Sequence, residues 1–355
     1  MMKTKLLGKN QQELCQIAAA LGLKPFVGKQ IARWLYTSRA VSWEQMTNIS
    51  AASKAILQES CDLGTSAPAG SALSADGTAK YLFRVGEKDA VESVVIPDED
   101  RRTLCVSSQA GCRMGCRFCA STIGGLSRSL TAGEMLDQIY RITEETGERV
   151  SNVVIMGSGE PMDNYDNIVR FIRMISGEEG MNLSQRNITV STCGIVPKMR
   201  EFAEEGLQVT LALSLPAADD ETRKELMPIA NRYTIKEALD ACAYYFEKTG
   251  RRVSYEYSLV AGVNDTPEEA DRLIRLLRHR NGHVNLIPVN PVTERNYRES
   301  APEAVQRFKN QLEKNGINVT IRREMGRDID GACGQLRRRY AEDPQSVSPG
   351  ETVEK

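Results

Sequence analysis

Three cysteines fall within eight residues of this chain, in the run Cys112-Arg-Met-Gly-Cys116-Arg-Phe-Cys119. Thiolates at this C-x3-C-x2-C spacing can converge on one soft metal centre, and Gly111 and Gly115 relax the backbone for the turn that convergence needs. A zinc site normally wants a fourth protein ligand, and the run offers none nearby. A four-iron cluster held by three cysteines leaves one iron open to chelate a substrate or cofactor. Three buried structural thiols are the bland alternative, and packing alone gives no reason for them to crowd into a glycine-bearing loop.

Other residue types fit such a centre. Met156-Gly157-Ser158-Gly159-Glu160-Pro161 follows an apolar run. Its glycines allow close backbone approach to a ligand, and Glu160 can accept from an ammonium group. Ser191 lies near the end of the run NITVST, Ser214 near the end of VTLALSL, and Asn290 follows VNLIPV. Each is a strand-end polar group that could equally bond the backbone. Cys333 lies in the glycine-flanked segment Asp330-Gly331-Ala332-Cys333-Gly334-Gln335. A loop suits a nucleophile that visits two partners, although a lone cysteine is more often a small buried thiol. Only His279 and His283 are available for imidazole chemistry, so a carboxylate base is consistent with the composition.

The elements that must position these groups are legible in outline. The 355 residues suit one large α/β domain with a smaller partner. With 46 Lys+Arg against 47 Asp+Glu, a strongly basic coat is excluded on average. No stretch of 18 apolar residues occurs and the start lacks a signal-peptide core, so a cytoplasmic protein with reduced thiols and no membrane partner is expected. Residues 1–60 show helical periodicity and carry 8 Lys/Arg against 3 Asp/Glu, a net of +5 that suits a polyanion-facing module.

Further on, β-rich runs at 104–108, 152–156, 187–192, 209–215, 253–259, 284–289 and 318–323 alternate with segments of helical length. Thr131 with Glu134 reads as a capping box, and Gly250 as a helix C-terminus. This alternation predicts a parallel sheet. No GxGxxG follows the first strand, so an open or closed (βα) barrel fits better than a doubly wound sheet, with chemistry at the carboxyl ends of its strands. The expected divisions are a helical basic accessory domain (1–61), a linker or small β extension (62–97), a core barrel that includes the Cys333 loop (98–340) and a disordered polar tail (341–355).

The triplet, with Phe118 before its last cysteine, resembles the radical S-adenosylmethionine (SAM) superfamily. The likeness extends from Glu92 to about Gln335, through VESVVIPDEDRRTLCVSSQAGCRMGCRFC, VIMGSGEPMDN, NITVSTCGIVP, LMPIANRY, VNLIPVNP and GRDIDGACGQL. Together these motifs resemble the dual-specificity RNA methyltransferases that act on C2 of adenosine. GLKPFVGKQIARWLY and SWEQMTNIS resemble that family's helical accessory domain, which implies that residues 1–61 bind RNA and that the C-terminal loop of the 98–340 barrel is catalytic.

The resemblance implies an α/β radical SAM fold with a partial (βα)6-type barrel. It implies that Cys112, Cys116 and Cys119 hold a [4Fe-4S] cluster. SAM would contact Gly159, Glu160, Ser191, Ser214, Leu215, Pro216 and Asn290. The family usually has His where Pro216 stands, and proline offers neither ring nitrogen nor backbone N–H, so only its carbonyl could serve. It more often has Met where Ser158 stands. Adenine C2 is electron-poor, which defeats direct displacement from SAM. The implied route loads a methyl from one SAM onto Cys333, and a radical from a second SAM activates that methyl for addition to C2. Glu92 then accepts the C2 proton, and Cys105 attacks Cys333 to form a disulfide that releases the base.

The implied substrates are 23S ribosomal RNA near the peptidyl-transferase region and an anticodon-adjacent adenosine of certain tRNAs. The adenine must be unstacked to reach a buried radical. Arg101, Arg102, Arg322, Arg323, Arg327 and the run Arg337-Arg338-Arg339 could hold phosphates or pair with nearby acids. An electron donor such as flavodoxin or ferredoxin is implied, and a monomer is expected. The nearest rival is the sister activity at C8, disfavoured because Cys193 and Pro161 match the C2 branch. A radical enzyme acting on a non-RNA substrate would not need Cys333, and a zinc-bound RNA-binding module would carry zinc without sulfide.

Overall fold

The structure is a computed structural model describing residues 3–86, 88–292 and 295–329. Cys333, the Arg337-Arg338-Arg339 run and the tail 341–355 lie outside the described residues. The chain opens with β1 (Thr4–Lys5), α1 (Gln11–Ala20), α2 (Phe26–Ala32), α3 (Ala51–Ser60) and β2 (Cys61–Asp62). Asn10 caps α1 through a reciprocal box with Glu13. The parallel pairing of β1 with β2 is not foreseen by the helical periodicity of this stretch. This module is docked on the larger domain: a Cβ on Gly8 would meet Gly133 N at 2.5 Å, and Arg170 Nε donates to Gly8 O at 2.7 Å. Arg170 also pairs with Glu13.

Next come β3 (Pro68–Leu73), β4 (Ala79–Val85), β5 (Asp89–Asp98) and β6 (Arg101–Cys105), joined antiparallel. The first core strand thus ends at Cys105, whereas the apolar run LCVSS places it at 104–108. A two-stranded ribbon of β7 (Gln109–Gly111) and β8 (Leu126–Ser129) comes after it and brackets the cysteine triplet.

Six βα units then build the core, starting with β6 and α4 (Ala132–Thr146). They continue through β9 (Asn152–Ile155), α5 (Tyr165–Ser176), β10 (Ile188–Thr192), α6 (Val196–Ala203) and β11 (Thr210–Ser214). After α7 (Asp220–Leu226) and α8 (Ile235–Thr249) come β12 (Val253–Leu259), α9 (Pro267–Leu277), β13 (Gly282–Pro288), α10 (Pro302–Lys314) and a closing β14 (Val319–Ile321). Strands β6 and β9 to β14 are parallel neighbours in sequence order, as right-handed crossovers dictate. The sheet runs on through β5, β4 and β3 to ten strands. Capping boxes at Thr131/Glu134 and Thr234/Glu237 start α4 and α8, and left-handed Gly147 and Gly250 end them.

The two edges of the sheet meet through a turn. The β3–β4 turn fastens the segment after β14: Asp76 accepts from Gly326 N at 2.7 Å, while Asp328 accepts from Ser74 Oγ at 2.5 Å and Ala75 N at 3.1 Å. Among the described residues no helix is long and apolar enough to cross a membrane.

Candidate active site

The cysteine triplet occupies the loop between β7 and β8. Gly111 has φ +79° and its missing Cβ would lie 2.0 Å from Gly125 O, so only glycine lets the two ends of the loop close. Cys112 N donates to Gly125 O at 3.1 Å, Thr122 Oγ1 bonds the Cys116 and Cys119 carbonyls, and Arg117 N donates to Leu226 O at 2.9 Å. Cys112 and Cys116 are buried and Cys119 is half-buried.

Burial pushes the Cys112 thiol up to about 12, against a bond from Met114 N–H and with the charges of Glu160 and Cys119 pushing the same way. Cys116 is driven well above its ordinary value by burial and then by Cys119 and Cys112. As thiolates the three repel one another in a dry pocket, and a polycation that binds them removes both penalties. This donor set therefore fits an iron–sulfur centre. Among the described residues no three His, Cys, Asp or Glu side chains already form a closed metal cage. The backbone fixes the loop, and the thiols feel one another's charge.

The space around the triplet also contains what its local sequence does not. Cys193, buried at the end of β10, packs with Cys116, Leu226 and Met227. Its thiol is pushed well above the usual range by burial and by the charges of Glu160 and Cys116. A fourth thiol is thus near in space, though distant in sequence.

Glu160 caps a short turn (161–164) past β9 and is buried. Its Oε1 accepts from Met162 N at 3.0 Å and its Oε2 from Cys193 N at 2.8 Å. Its own N–H donates to Gln109 Oε1 at 2.9 Å. Burial raises its carboxyl, opposed by these bonds. The glycine before it has a packing duty: Gly159 has φ +109°, and a Cβ there would meet Gln109 at 2.6 Å. Behind Cys193, the buried Arg223 donates to Cys193 O and to Tyr233 O, both at 2.9 Å.

Ser191 and Ser214 are half-buried at the carboxyl ends of β10 and β11. Cleft-lining Thr189 and Glu256 stand two residues before Ser191 and opposite Ser214, so strand alternation turns both serines toward the barrel interior. Leu215 is buried, with its N–H on Glu256 O at 2.9 Å. The Pro216 carbonyl accepts from Asn264 Nδ2 at 2.6 Å. The buried Asn264 also binds Ser258 O and Val260 N, so Pro216 keeps its place without a ring nitrogen.

A cleft of about 780 Å³ occupies the barrel interior, and Cys105, Met156, Asn290 and Arg322 are among its lining residues. Glu92 lies on the same face of β5 as cleft-lining Val94 and Ile96, and its carboxylate pairs with Lys80 Nζ at 3.1 Å, both fully buried. Burial pushes the Cys105 thiol up, while Arg322, the Met156 N–H and Lys80 pull it down. Of the arginines singled out for phosphate, Arg101 pairs with Asp98, Arg102 with Glu148, Arg323 with Asp98 at 3.9 Å, and Arg327 with Glu299 and Glu324.

Residues 106–277 match the Radical SAM superfamily, and residues 4–63 match the ribosomal RNA large subunit methyltransferase N-terminal domain. The chain is 57% identical over 341 residues to a protein of Lachnospira eligens named probable dual-specificity RNA methyltransferase RlmN, covering 96% of this chain and 97% of that one. A protein of the same name from Lachnoclostridium phytofermentans is 58% identical over 332 residues, covering 93% of each. The crystal structure of a radical SAM methyltransferase from Sphaerobacter thermophilus superposes with a TM-score of 0.89 at 42% identity, covering 94% of this chain and 98% of that one. A cysteine loop fit for an iron–sulfur centre on a six-unit barrel, and identity above one half along almost the whole length, have one meaning: this chain belongs to the RlmN-type dual-specificity RNA methyltransferases of the radical SAM superfamily, whose cofactors are a [4Fe-4S] cluster and SAM.

Proposed function

We propose that the protein methylates C2 of adenosine in RNA, in 23S rRNA and in certain tRNAs. The observation that carries this reading is that Cys105 lines one barrel cleft, that Glu92, Ser191 and Ser214 share strand faces or pairings with residues lining it, and that Cys116 of the cysteine loop packs on Cys193 just past β10. When bound, the cluster and SAM supply a methyl group and a 5′-deoxyadenosyl radical. Cys112, Cys116 and Cys119 hold the cluster. Gly159, Glu160, Ser191, Ser214, Leu215, Pro216 and Asn290 hold SAM, with Glu160 taking its ammonium.

Cys333 carries the methyl group to the base. Glu92 accepts the C2 proton at a carboxylate oxygen that the wall keeps away from bulk water. Once the adduct has lost one electron together with the C2 proton, the Cys105 thiolate attacks Cys333 Sγ, the S–CH2 bond breaks as the S–S bond forms, and the freed methylene carbon takes a proton as the methylated base leaves. Residues 1–61 act as the RNA-gripping accessory module, supported by their net charge of +5. Residues 62–97 join it to the catalytic core at 98–340. A reduced flavodoxin or ferredoxin supplies electrons, and the protein works as a cytoplasmic monomer.

The test is mass spectrometry of nucleosides from RNA treated with the anaerobically reconstituted enzyme, SAM and a reductant. The expected product is 2-methyladenosine. Mainly 8-methyladenosine, or no methylated adenosine, overturns the assignment.

A further inference from the structure

The wall of the barrel cleft carries a fully buried ion pair whose positive member is unassigned. Lys80 lies opposite Val94 in the β4–β5 ladder, and Val94 lies opposite Cys105 in the β5–β6 ladder. Residues opposite one another in a sheet project from the same face, so Lys80, Val94 and Cys105 form one row facing the cleft. Lys80 and Cys105 are two strands apart, about 10 Å between backbones. Glu92 shares this face two residues along β5, and Lys80 Nζ reaches its Oε2 at 3.1 Å. Neither side chain has meaningful solvent exposure, at 0% and 1%.

A buried ion pair is a poor device for stability. Replacing both partners with apolar groups is often neutral or favourable, so its presence in a cleft wall points to a use. The charges bearing on Cys105 from neighbouring elements are Arg322 beyond β14, Lys80 on β4 and Glu92 on β5. Glu92 opposes the Cys105 thiolate, and Lys80 favours it.

We propose that Lys80 is a positioning residue of this wall: a fixed cation that pairs with the Glu92 carboxylate at rest and passes its stabilisation to the Cys105 thiolate when Glu92 takes up a proton. The proton balance closes. A proton moves from substrate C2 to a Glu92 oxygen and neutralises that carboxylate. Cys105 releases its own proton to water in the cleft, and the wall again holds one cation against one anion. No electron changes hands in this step. Its catalytic meaning rests on the assignment of Glu92 and Cys105 proposed above, whereas the charge hand-over is measurable without turnover.

The test uses the full-length, cluster-loaded and pre-reduced protein, with Cys105 alkylation by iodoacetamide followed by peptide mass spectrometry at one pH near neutrality. Glu92→Gln imitates the protonated carboxylate and should speed labelling of Cys105 on the order of tenfold, the effect of a one-unit displacement of a thiol. Lys80→Met combined with Glu92→Gln should lose that gain, and Lys80→Arg with Glu92→Gln should keep most of it. Melting temperature and iron content check that each variant is folded and loaded. No acceleration in the folded Glu92→Gln variant, or acceleration that persists in the Lys80→Met double variant, overturns the proposal. If labelling follows expectation while Glu92→Gln methylates RNA at the normal rate, the role of Glu92 as proton acceptor fails and the electrostatic role of Lys80 stands.

Discussion

The backbone N–H of Cys193 donates to Glu160 Oε2 at 2.8 Å, so the loops that end β9 and β10 meet on one buried carboxylate. Glu160 Oε1 already serves Met162 N. The group proposed to receive SAM's ammonium is therefore held in place by backbone on both sides before any ligand arrives.

Glu160→Gln tests this. The amide offers one carbonyl oxygen where two carboxylate oxygens accept, so one buried N–H loses its partner at a cost of about 1–3 kcal/mol. A lower melting temperature and at least tenfold weaker SAM retention in equilibrium dialysis are expected. Unchanged retention removes Glu160 from the SAM site.

Cys119→Ala should reduce iron and sulfide after anaerobic reconstitution to near background, because two thiolates leave two open corners and do not secure a cluster. Elemental analysis reads this directly. Full iron content in the variant means that another ligand completes the site, and Cys193 is then the first residue to change.

Cys105→Ala should leave the methylene-bridged enzyme–RNA adduct without its resolving thiol. The adduct should accumulate as a slow-migrating band in a denaturing gel, sensitive to ribonuclease. Cys333→Ala should abolish both band and product while SAM cleavage continues. Product formed at the normal rate by either variant contradicts the thiol roles.

Asp137, in α4, accepts from Ser66 N at 2.7 Å and Ser66 Oγ at 2.8 Å, and burial raises its carboxyl from 3.8 to about 6 against these bonds and Arg141. The folded state thus holds the proton more tightly than the unfolded state. Its contribution is complete below about pH 4 and is lost as pH rises through 6. Compared with Asp137→Asn, the parent should lose about 1–2 kcal/mol of stability between pH 5 and pH 7. Urea denaturation at the two pH values measures it, and a parallel response of both proteins contradicts it.

Asn264 joins Pro216 O, Ser258 O and Val260 N. Asn264→Ala should therefore cost about 2–4 kcal/mol, several buried backbone groups losing partners together. Pro216→His leaves those bonds available and should change SAM affinity by less than about tenfold, a 1.4 kcal/mol effect. Thermal melts and dialysis separate the two expectations.

The core was readable from sequence where local signals and tertiary demand agree. The run VSYEYSL coincides with β12, and the boxes at Thr131 and Thr234 start the helices they cap. The antiparallel strands β3 to β5 were less legible, because nothing local says that they extend the barrel sheet. The cysteine triplet announces itself within eight residues. Cys193 and Lys80 do not, since each meets its partner only through strand register. One trace of Lys80 was present: in AKYLFRV, Tyr81, Phe83 and Val85 form an apolar face, so Lys80 must turn to the other side of β4.

The clamp between the β3–β4 turn and the segment after β14 joins two sheet edges that no strand ladder joins among the described residues. Thr78 from one edge and Arg322 and Met325 from the other line the same cleft, so the turn holds its rim together. Loss of Ser74 or Asp76 would loosen that rim without touching a single reacting atom.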